Sequence, residues 1–446
     1  MQRLVLDCEK YIGEIKPMHA VNNGPVGWSR GRSNVCIFTE SGIPCVRTHD
    51  SSFCASYGGE FTIDVHRIFR NFDADENDPN SYDFESTDTY IRGMCDNGMD
   101  VMYRLGASIE HYKKYGTYPP KDYLKWARIC EHIMLHYNEG WKDGFINAVK
   151  YWEIWNEPEL GMGTNNQPCW QGTFEEFLDF FVVVYRYLKE RFPNYIIGGP
   201  AFTAIWENSK WDIAFFERLQ KENLKLDFLS FHLYCQSEEG AVSMSNSARK
   251  MCDEYGQSQA KLILDEWNYI YGWVADKFVK SVKRIKNYYG AAFTSAVMLA
   301  CQNSPVDMLM YYDARPCAYN GLFDEISYKP LKGFYSFKYF NELYKLKNQL
   351  DYSGKINHVQ YVGASDGEKV AVALAYYDYK QGKKDVEFEL ELLNLKDGVD
   401  YKVEYYATNK KCTNKLIIEN QIKKGELLTI KMSHYDILLI KISPKK

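Results

Sequence analysis

No stretch of this 446-residue chain approaches the ~20 consecutive apolar residues that a membrane-spanning helix needs. Its first residues, MQRLVLDCEKYIGEIK, lack an apolar run behind a basic start, so no export signal is read there. A predominance of one charge is also missing: 54 lysines and arginines stand against 59 aspartates and glutamates, a net charge of −5 spread along the chain. Nucleic acid and membrane surfaces are therefore not expected partners, since both call for a basic face. The 12 cysteines lack a pattern. Cys8, Cys36, Cys45, Cys54, Cys95, Cys130, Cys169, Cys235, Cys252, Cys301, Cys317 and Cys412 form no C-x-x-C pair and no cluster with histidine. That excludes a zinc site or disulfide frame of the usual spacing and fits reduced thiols in a cytoplasm. A leader removed beforehand would leave the same N-terminus, so the thiols carry that expectation. No G-x-G-x-x-G follows an apolar run, and no H-E-x-x-H or His-x-His spacing occurs. Neither a cofactor nor a metal is expected.

What is present is aromatic and periodic. Aromatic residues make up 16% of the chain, with 36 tyrosines and 10 tryptophans, which suits stacking on sugars and equally suits a tyrosine-rich core. From Ile15 to about Lys345, eight short apolar runs alternate with longer amphipathic segments. They are IKPMHAVN, PCVRTHD, DVMYRLG, KYWEIWN, YIIGGPAF, DFLSFHLY, KLILDEWN and DMLMYYDA. In the segment DYLKWARICEHIMLHYNEG, Trp126, Ile129, Cys130, Ile133 and Tyr137 fall on one helical face. The alternation predicts an α/β fold, a (β/α)8 TIM barrel over residues 15–345. After the helix KPLKGFYSFKYFNELYKLKNQL the pattern changes to period two, as in EKVAVALAYYDY, DVEFELELLNL, YKVEYYA, LLTIKM and DILLIKI. This predicts a C-terminal antiparallel β-sandwich over 346–446, joined by a strand from residues 1–14. Self-association is left open.

The barrel strands end in polar residues: His19 and Asn22 in the first, Arg47, His49 and Asp50 in the second, Asn156 and Glu157 in the fourth. His232 and Tyr234 end the sixth, Asp265, Glu266 and Asn268 the seventh, and Tyr312, Asp313 and Arg315 the eighth. In a closed barrel such ends face one mouth, where active sites are built. Glu157 precedes Pro158, and a residue before proline is expected to be extended, which would hold the carboxylate at the lip of its strand. Glu153, deeper in that strand, reads as an interior hydrogen-bond partner, and Glu159 as part of the loop. Asp265 and Glu266 are neighbours and should point to opposite faces, so one of them, Glu266, is expected to face the pocket. Two carboxylates across a pocket can cleave a glycosidic bond, one as proton donor and one as nucleophile or electrostatic partner. His232 reads equally as a core histidine or a site residue. A Tyr234 hydroxyl on Glu266 would hold it ionised, and Arg47 could do the same electrostatically. His49 could reach a sugar hydroxyl. A metal site would require His19, His49 and His232 to meet with a carboxylate.

With WEIWNEPEL on the fourth strand and LILDEWN on the seventh, the sequence resembles clan A of the glycoside hydrolases, and most of all family 39, which includes β-xylosidases and α-L-iduronidases. The resemblance runs from IKPMHAVNNGP and VRTHD through NGLFDEISYKPLKGFYSF, and Asn-Glu-Pro is its most specific element. It implies an exo-acting retaining glycosidase on plant-type oligosaccharides, with a pentose such as xylose or arabinose as the expected glycone, Glu157 as acid/base, Glu266 as nucleophile and Asn156 on the sugar 2-hydroxyl. On the resemblance His49, His232 and Tyr234 would line the site, and Arg47 and Tyr312 are expected beside them from their places at strand ends. At the eighth strand, MYYDARP departs from the tryptophan platform of many xylosidases and leaves the sugar open between xylose, arabinose and a uronic acid. A catalytically silent sugar-binding barrel is the competing reading, although both glutamates are present. The loop GMGTNNQPCWQGT could shape a leaving-group subsite or be ordinary surface.

Overall fold

Each of the eight apolar runs between Ile15 and Lys345 carries a strand. The computed structural model describes residues 2–25, 33–50, 62–380, 382 and 384–445, so that Cys54 lies outside the described residues. After β1 (Arg3–Glu14) come β2 (Ala20–Asn22), β3 (Cys45–Thr48), β4 (Asp100–Leu105), β5 (Tyr151–Ile154), β6 (Ile196–Phe202), β7 (Phe228–Cys235), β8 (Lys261–Tyr269) and β9 (Met308–Tyr311). Neighbours from β2 to β9 pair in parallel, and β9 pairs back to β2, which closes the barrel. The outer helices start where their sequences supply caps. Asp122 accepts from the Lys125 N–H at 2.9 Å to open Tyr123–Asn138, whose Trp126, Ile129, Cys130, Ile133 and Tyr137 are all buried. Thr173 and Glu176 form a reciprocal capping box for Phe174–Arg191. Such a cap contributes about 1 kcal/mol.

The barrel interior follows period-two alternation. Ala20, Cys45, Met102, Tyr151, Phe228, Ile263, Met308 and Met310 form one apolar plug. Two residues further along their strands stand Asn22, Arg47, Arg104, Glu153, Ser230 and Asp265, all buried. A polar layer therefore lies directly on the plug, toward the C-terminal ends of the strands.

A second sheet contains β10 (Asn348–Ser353), β11 (Val359–Ser365), β12 (Val370–Tyr376), β13 (Val386–Leu393), β14 (Tyr401–Thr408), β15 (Lys415–Ile422), β16 (Leu428–Met432) and β17 (Ile437–Pro444). With β1 it forms a nine-stranded sheet, β15-β14-β17-β12-β11-β10-β1-β13-β16, curled around a core that includes Leu6, Val372, Leu390, Val403, Ile430 and Ile440. Its other face meets the barrel: Ala371, Ala373, Ala375, Ile437 and Leu439 belong to the same apolar cluster as the barrel helices. The Tyr377 hydroxyl donates to the Gln236 carbonyl at 2.6 Å across that boundary.

Three details differ from the sequence expectation. The helix expected to reach Leu350 is Phe334–Leu346; Lys347 takes a positive φ of 67°, and Asn348 begins β10. The pairing is not wholly antiparallel, because β1 runs parallel to β13 while antiparallel to β10. β15 shows no alternation because it is an edge strand whose residues are exposed up to Ile422. The described cysteines are free, and no described helix is long and apolar enough to cross a membrane.

Candidate active site

The polar layer is organised around Arg47, which β3 places wholly inside the barrel. Its Nε lies 2.7 Å from Glu153 Oε2 and 2.9 Å from Asp265 Oδ2, its Nη1 3.3 Å from Glu266 Oε2, and its Nη2 donates to Asn156 Oδ1 at 2.7 Å. Burial alone would lower the pKa of this guanidinium, but Glu153, Asp265 and Glu266 more than offset that and hold it above its ordinary value. A fully buried cation is tolerated because carboxylates surround it. Burial, against the opposing pull of Arg47, pushes Glu153 up to about 8, whereas Arg47 and His232 outweigh burial at Asp265 and keep it ionised.

Asp265 does not face away from the pocket. Ile263 points into the barrel, so strict alternation brings Asp265 inward as well, and it would send Glu266 outward. A register shift intervenes: Phe231 pairs with Leu264, but His232 pairs with Glu266, one residue further than a regular ladder allows. This β-bulge lets both carboxylates reach the interior. Tyr234 donates its hydroxyl to Glu266 Oε1 at 2.5 Å. Burial, with Glu157 adding to it, pushes Glu266 up to about 7 in spite of His232, Arg47 and that hydroxyl.

Glu157 departs from the pre-proline expectation. It has φ 46°, and Trp155 has φ 75°. Both backbones are fixed by neighbouring strands: the Trp155 N–H donates to the Leu105 carbonyl at 2.7 Å, and the Glu157 N–H to the Ala201 carbonyl at 2.9 Å. These bonds override the local preference, at a conformational cost of about 1–3 kcal/mol per residue. The kink packs the Trp155 ring beside Trp126, Trp170 and Phe180, while Asn156 turns in to Arg47. His232 Nδ1 lies 3.0 Å from Glu157 Oε1, and its Nε2 lies 3.6 Å from Glu266 Oε2. Burial would lower the His232 pKa, but Glu266, Asp265 and Glu157 hold it well above its ordinary value. Glu157, His232 and Glu266 present one potential ligand atom each within 4.8 Å of one another, so they are also the described residues that could hold a cation.

The remaining wall comes from β3 and β9. The Tyr312 hydroxyl points at Asp50 Oδ2 at 3.5 Å, Arg315 Nη2 lies 3.3 Å from the same oxygen, and Asn23 donates to Asp313 Oδ1 at 3.0 Å. The His49 ring stands 6.4 Å from that of Tyr312, and burial keeps this imidazole neutral by pushing its pKa well down. A cavity of about 440 Å³ opens beside Asp50, Tyr312 and Arg315 and extends toward Glu110 and Tyr112. A wider one, about 600 Å³, lies at the opposite end of the barrel between Lys16, Lys150, Lys261 and Lys347, and none of the candidate residues reaches it. His19 is not at the mouth; it precedes β2 and packs against Phe340 and Tyr344. His19, His49 and His232 therefore do not converge.

The model of glycosyl hydrolases family 39 matches residues 20–269, more than half of the chain. The chain belongs to that family. This family 39 chain is 29% identical over 126 residues to a β-xylosidase of Geobacillus stearothermophilus, a match covering 28% of the chain and 23% of that relative. Two crystal structures share its fold over the full length of both chains. One is a glucosidase from Croceicoccus marinus, TM-score 0.82 at 19% identity, and the other a monomeric β-xylosidase from Caulobacter crescentus CB15, TM-score 0.71 at 16% identity.

Sequence reasoning missed two features of the family 39 pocket. Trp273, 57% exposed in the loop after β8, stacks on Phe278 and sets its ring 4.8 Å from that of Tyr234, so a partly exposed indole stands one ring away from Glu266. A tryptophan just past a polar strand end was the available signal. Glu159 lies in its loop as expected but is buried; it accepts from the Thr203 N–H at 2.7 Å, and burial pushes it up to about 8. The loop after Glu157 is divided: residues 163–166 are exposed, whereas Cys169 and Trp170 are buried, with Cys169 Sγ 3.9 Å from Glu157 Oε2.

Proposed function

We propose that this chain is a retaining exo-glycosidase in which Glu157 is the acid/base and Glu266 the nucleophile. The observation that carries the reading is the approach of the two carboxylates, with oxygens within 4.8 Å of each other. Retaining enzymes hold the pair about 5–5.5 Å apart, whereas inverting ones need ~6.5–9.5 Å to admit a water. Glu266 attacks the anomeric carbon while Glu157 gives its proton to the departing oxygen. Water, losing a proton to Glu157, then releases the sugar from Glu266. Tyr234, Arg47 and His232 favour the ionised form of Glu266 that the attack requires. Asn156, oriented by Arg47, is suited to the 2-hydroxyl of the sugar, and His49 and Tyr312 to its other hydroxyls. The catalytic unit is residues 15–345, and 346–446 with the strand from 1–14 is an accessory body.

The glycone is a pentose, xylose or arabinose, a choice supported by the resemblance to a β-xylosidase over 126 residues. The test is a panel of nitrophenyl glycosides followed by labelling with the matching 2-fluoroglycoside. Pentosides should give the highest kcat/KM and Glu266 should carry the label. A preference for glucosides or uronides would overturn the sugar, and a label elsewhere would overturn the nucleophile. A metal-dependent reaction at Glu157, His232 and Glu266 would instead be abolished by a chelator.

A further inference from the structure

Alternation from Ile263 brings into the barrel, beside the bulge in β8, a carboxylate that the two-glutamate reaction does not use. Asp265 is fully buried, and neither of its oxygens has a hydrogen-bond donor in regular geometry. Its Oδ2 is an ion-pair neighbour of Arg47 Nε at 2.9 Å and of His232 Nε2 at 3.7 Å. His232 Nε2 is in the same condition: buried, without a hydrogen-bond partner, and facing Asp265 Oδ2 and Glu266 Oε2 at 3.7 and 3.6 Å. A lone pair on that nitrogen would face two negative oxygens in the dry interior, whereas an N–H there is attracted by both. The second ring nitrogen, Nδ1, is the one 3.0 Å from Glu157 Oε1.

We propose that Asp265 is a positioning residue whose carboxylate fixes a proton on His232 Nε2, leaving Nδ1 as the atom that shares a proton with Glu157. The consequence for catalysis rests on the reading of Glu157 as acid/base; the state of the ring does not. The shared proton leaves with the departing oxygen in the first step and is replaced from water in the second, so Asp265 itself neither gains nor loses one. The charged and titratable groups around the ring are Arg47 from β3 and His49 just after it, Glu153 and Glu157 from β5 and the turn after it, Tyr234 from β7, and Asp265 and Glu266 from β8. His49 is neutral and Arg47 is engaged by Glu153, Glu266 and Asp265, so carboxylates dominate at Nε2.

The experiment is a long-range proton–nitrogen spectrum of the full chain labelled with 15N-histidine, His232 being assigned by the signal missing in His232→Asn. In the wild type Nε2 should stay protonated from pH ~5 to ~9. In Asp265→Asn, part of the Nε2-bound proton should move to Nδ1, or the ring should titrate within that range. Glu153→Gln, which removes the other partner of Arg47 Nε and alters a neighbour of Asp265, should change the ring less than Asp265→Asn does. With a poor leaving group, Asp265→Asn should lower kcat about tenfold, leave KM within about twofold, and add an ionisation to the pH profile. A bare Nε2 in the wild type overturns the proposal whether or not the variant folds. So does an Asp265→Asn ring identical to the wild type, or an equal change in Glu153→Gln. The spectra need no substrate, so failure of the two-glutamate reaction is visible separately.

Discussion

Removing the Tyr234 hydroxyl should move the acid limb of the pH–rate profile upward. The hydroxyl donates to Glu266 Oε1 at 2.5 Å, and a donor to the charged form lowers a carboxyl pKa. A hydrogen bond to an ionised group is worth about 1.5–3 kcal/mol, and 1.36 kcal/mol corresponds to one pKa unit, so Tyr234→Phe should raise Glu266 by about 1–2 from its value of about 7. The nucleophile must be ionised to attack. At pH ~6 the reactive fraction should therefore drop about 10- to 100-fold, and kcat/KM with it, while at pH ~9 the loss should shrink to about twofold or less. The assay is kcat/KM for the best nitrophenyl glycoside across pH, with a thermal melt to show that the fold persists. A limb that stays in place or moves down would refute the argument. A loss equal at every pH would reassign Tyr234 to substrate binding.

Two further changes probe other parts of the pocket. Glu159 is held at about 8 in the folded chain by burial, against an ordinary 4.5, so stability present at low pH is lost as pH rises toward 8. Glu159→Gln should therefore raise Tm more at pH ~9 than at pH ~5, and an equal gain at both would contradict that cause. Trp273→Ala should raise KM about tenfold, the equivalent of ~1.4 kcal/mol of lost stacking, with kcat little changed. A fall in kcat at constant KM would instead tie the indole to the reacting centre.

The period-two pattern made much of this site legible. Arg47, Glu153 and Tyr312 lie two residues beyond the plug-forming Cys45, Tyr151 and Met310, so their inward direction follows from alternation alone. The same rule holds for Asp265, two residues beyond Ile263, and breaks at Glu266, because a bulge depends on how two strands pair, which neither strand encodes by itself. The pre-proline preference, a separate rule, failed at Glu157, where backbone bonds from Trp155 to β4 and from Glu157 to β6 outweigh the local effect of Pro158. β15 escaped notice because burial on one face is what writes alternation into a strand, and its side chains are almost all exposed. Trp273 carries no periodic signal, being a single residue in a connecting loop.

β1 carries a consequence for how the molecule is assembled. It lies inside the nine-stranded sheet, between β10 and β13, although the entire barrel separates it from them in sequence. During synthesis it emerges before the barrel and must remain unpaired until its partners, more than 330 residues later, have been made. The barrel has all of its strands by Tyr311 and can close beforehand, so the sheet is assembled last, by long-range pairings of the slow kind. A fragment starting at Asn348 would carry eight of the nine strands with a gap in the middle, two unpaired strand edges facing each other where β1 belongs. The N-terminal strand is in that sense the latch of the whole chain, and supplying it as a separate peptide should rescue such a fragment.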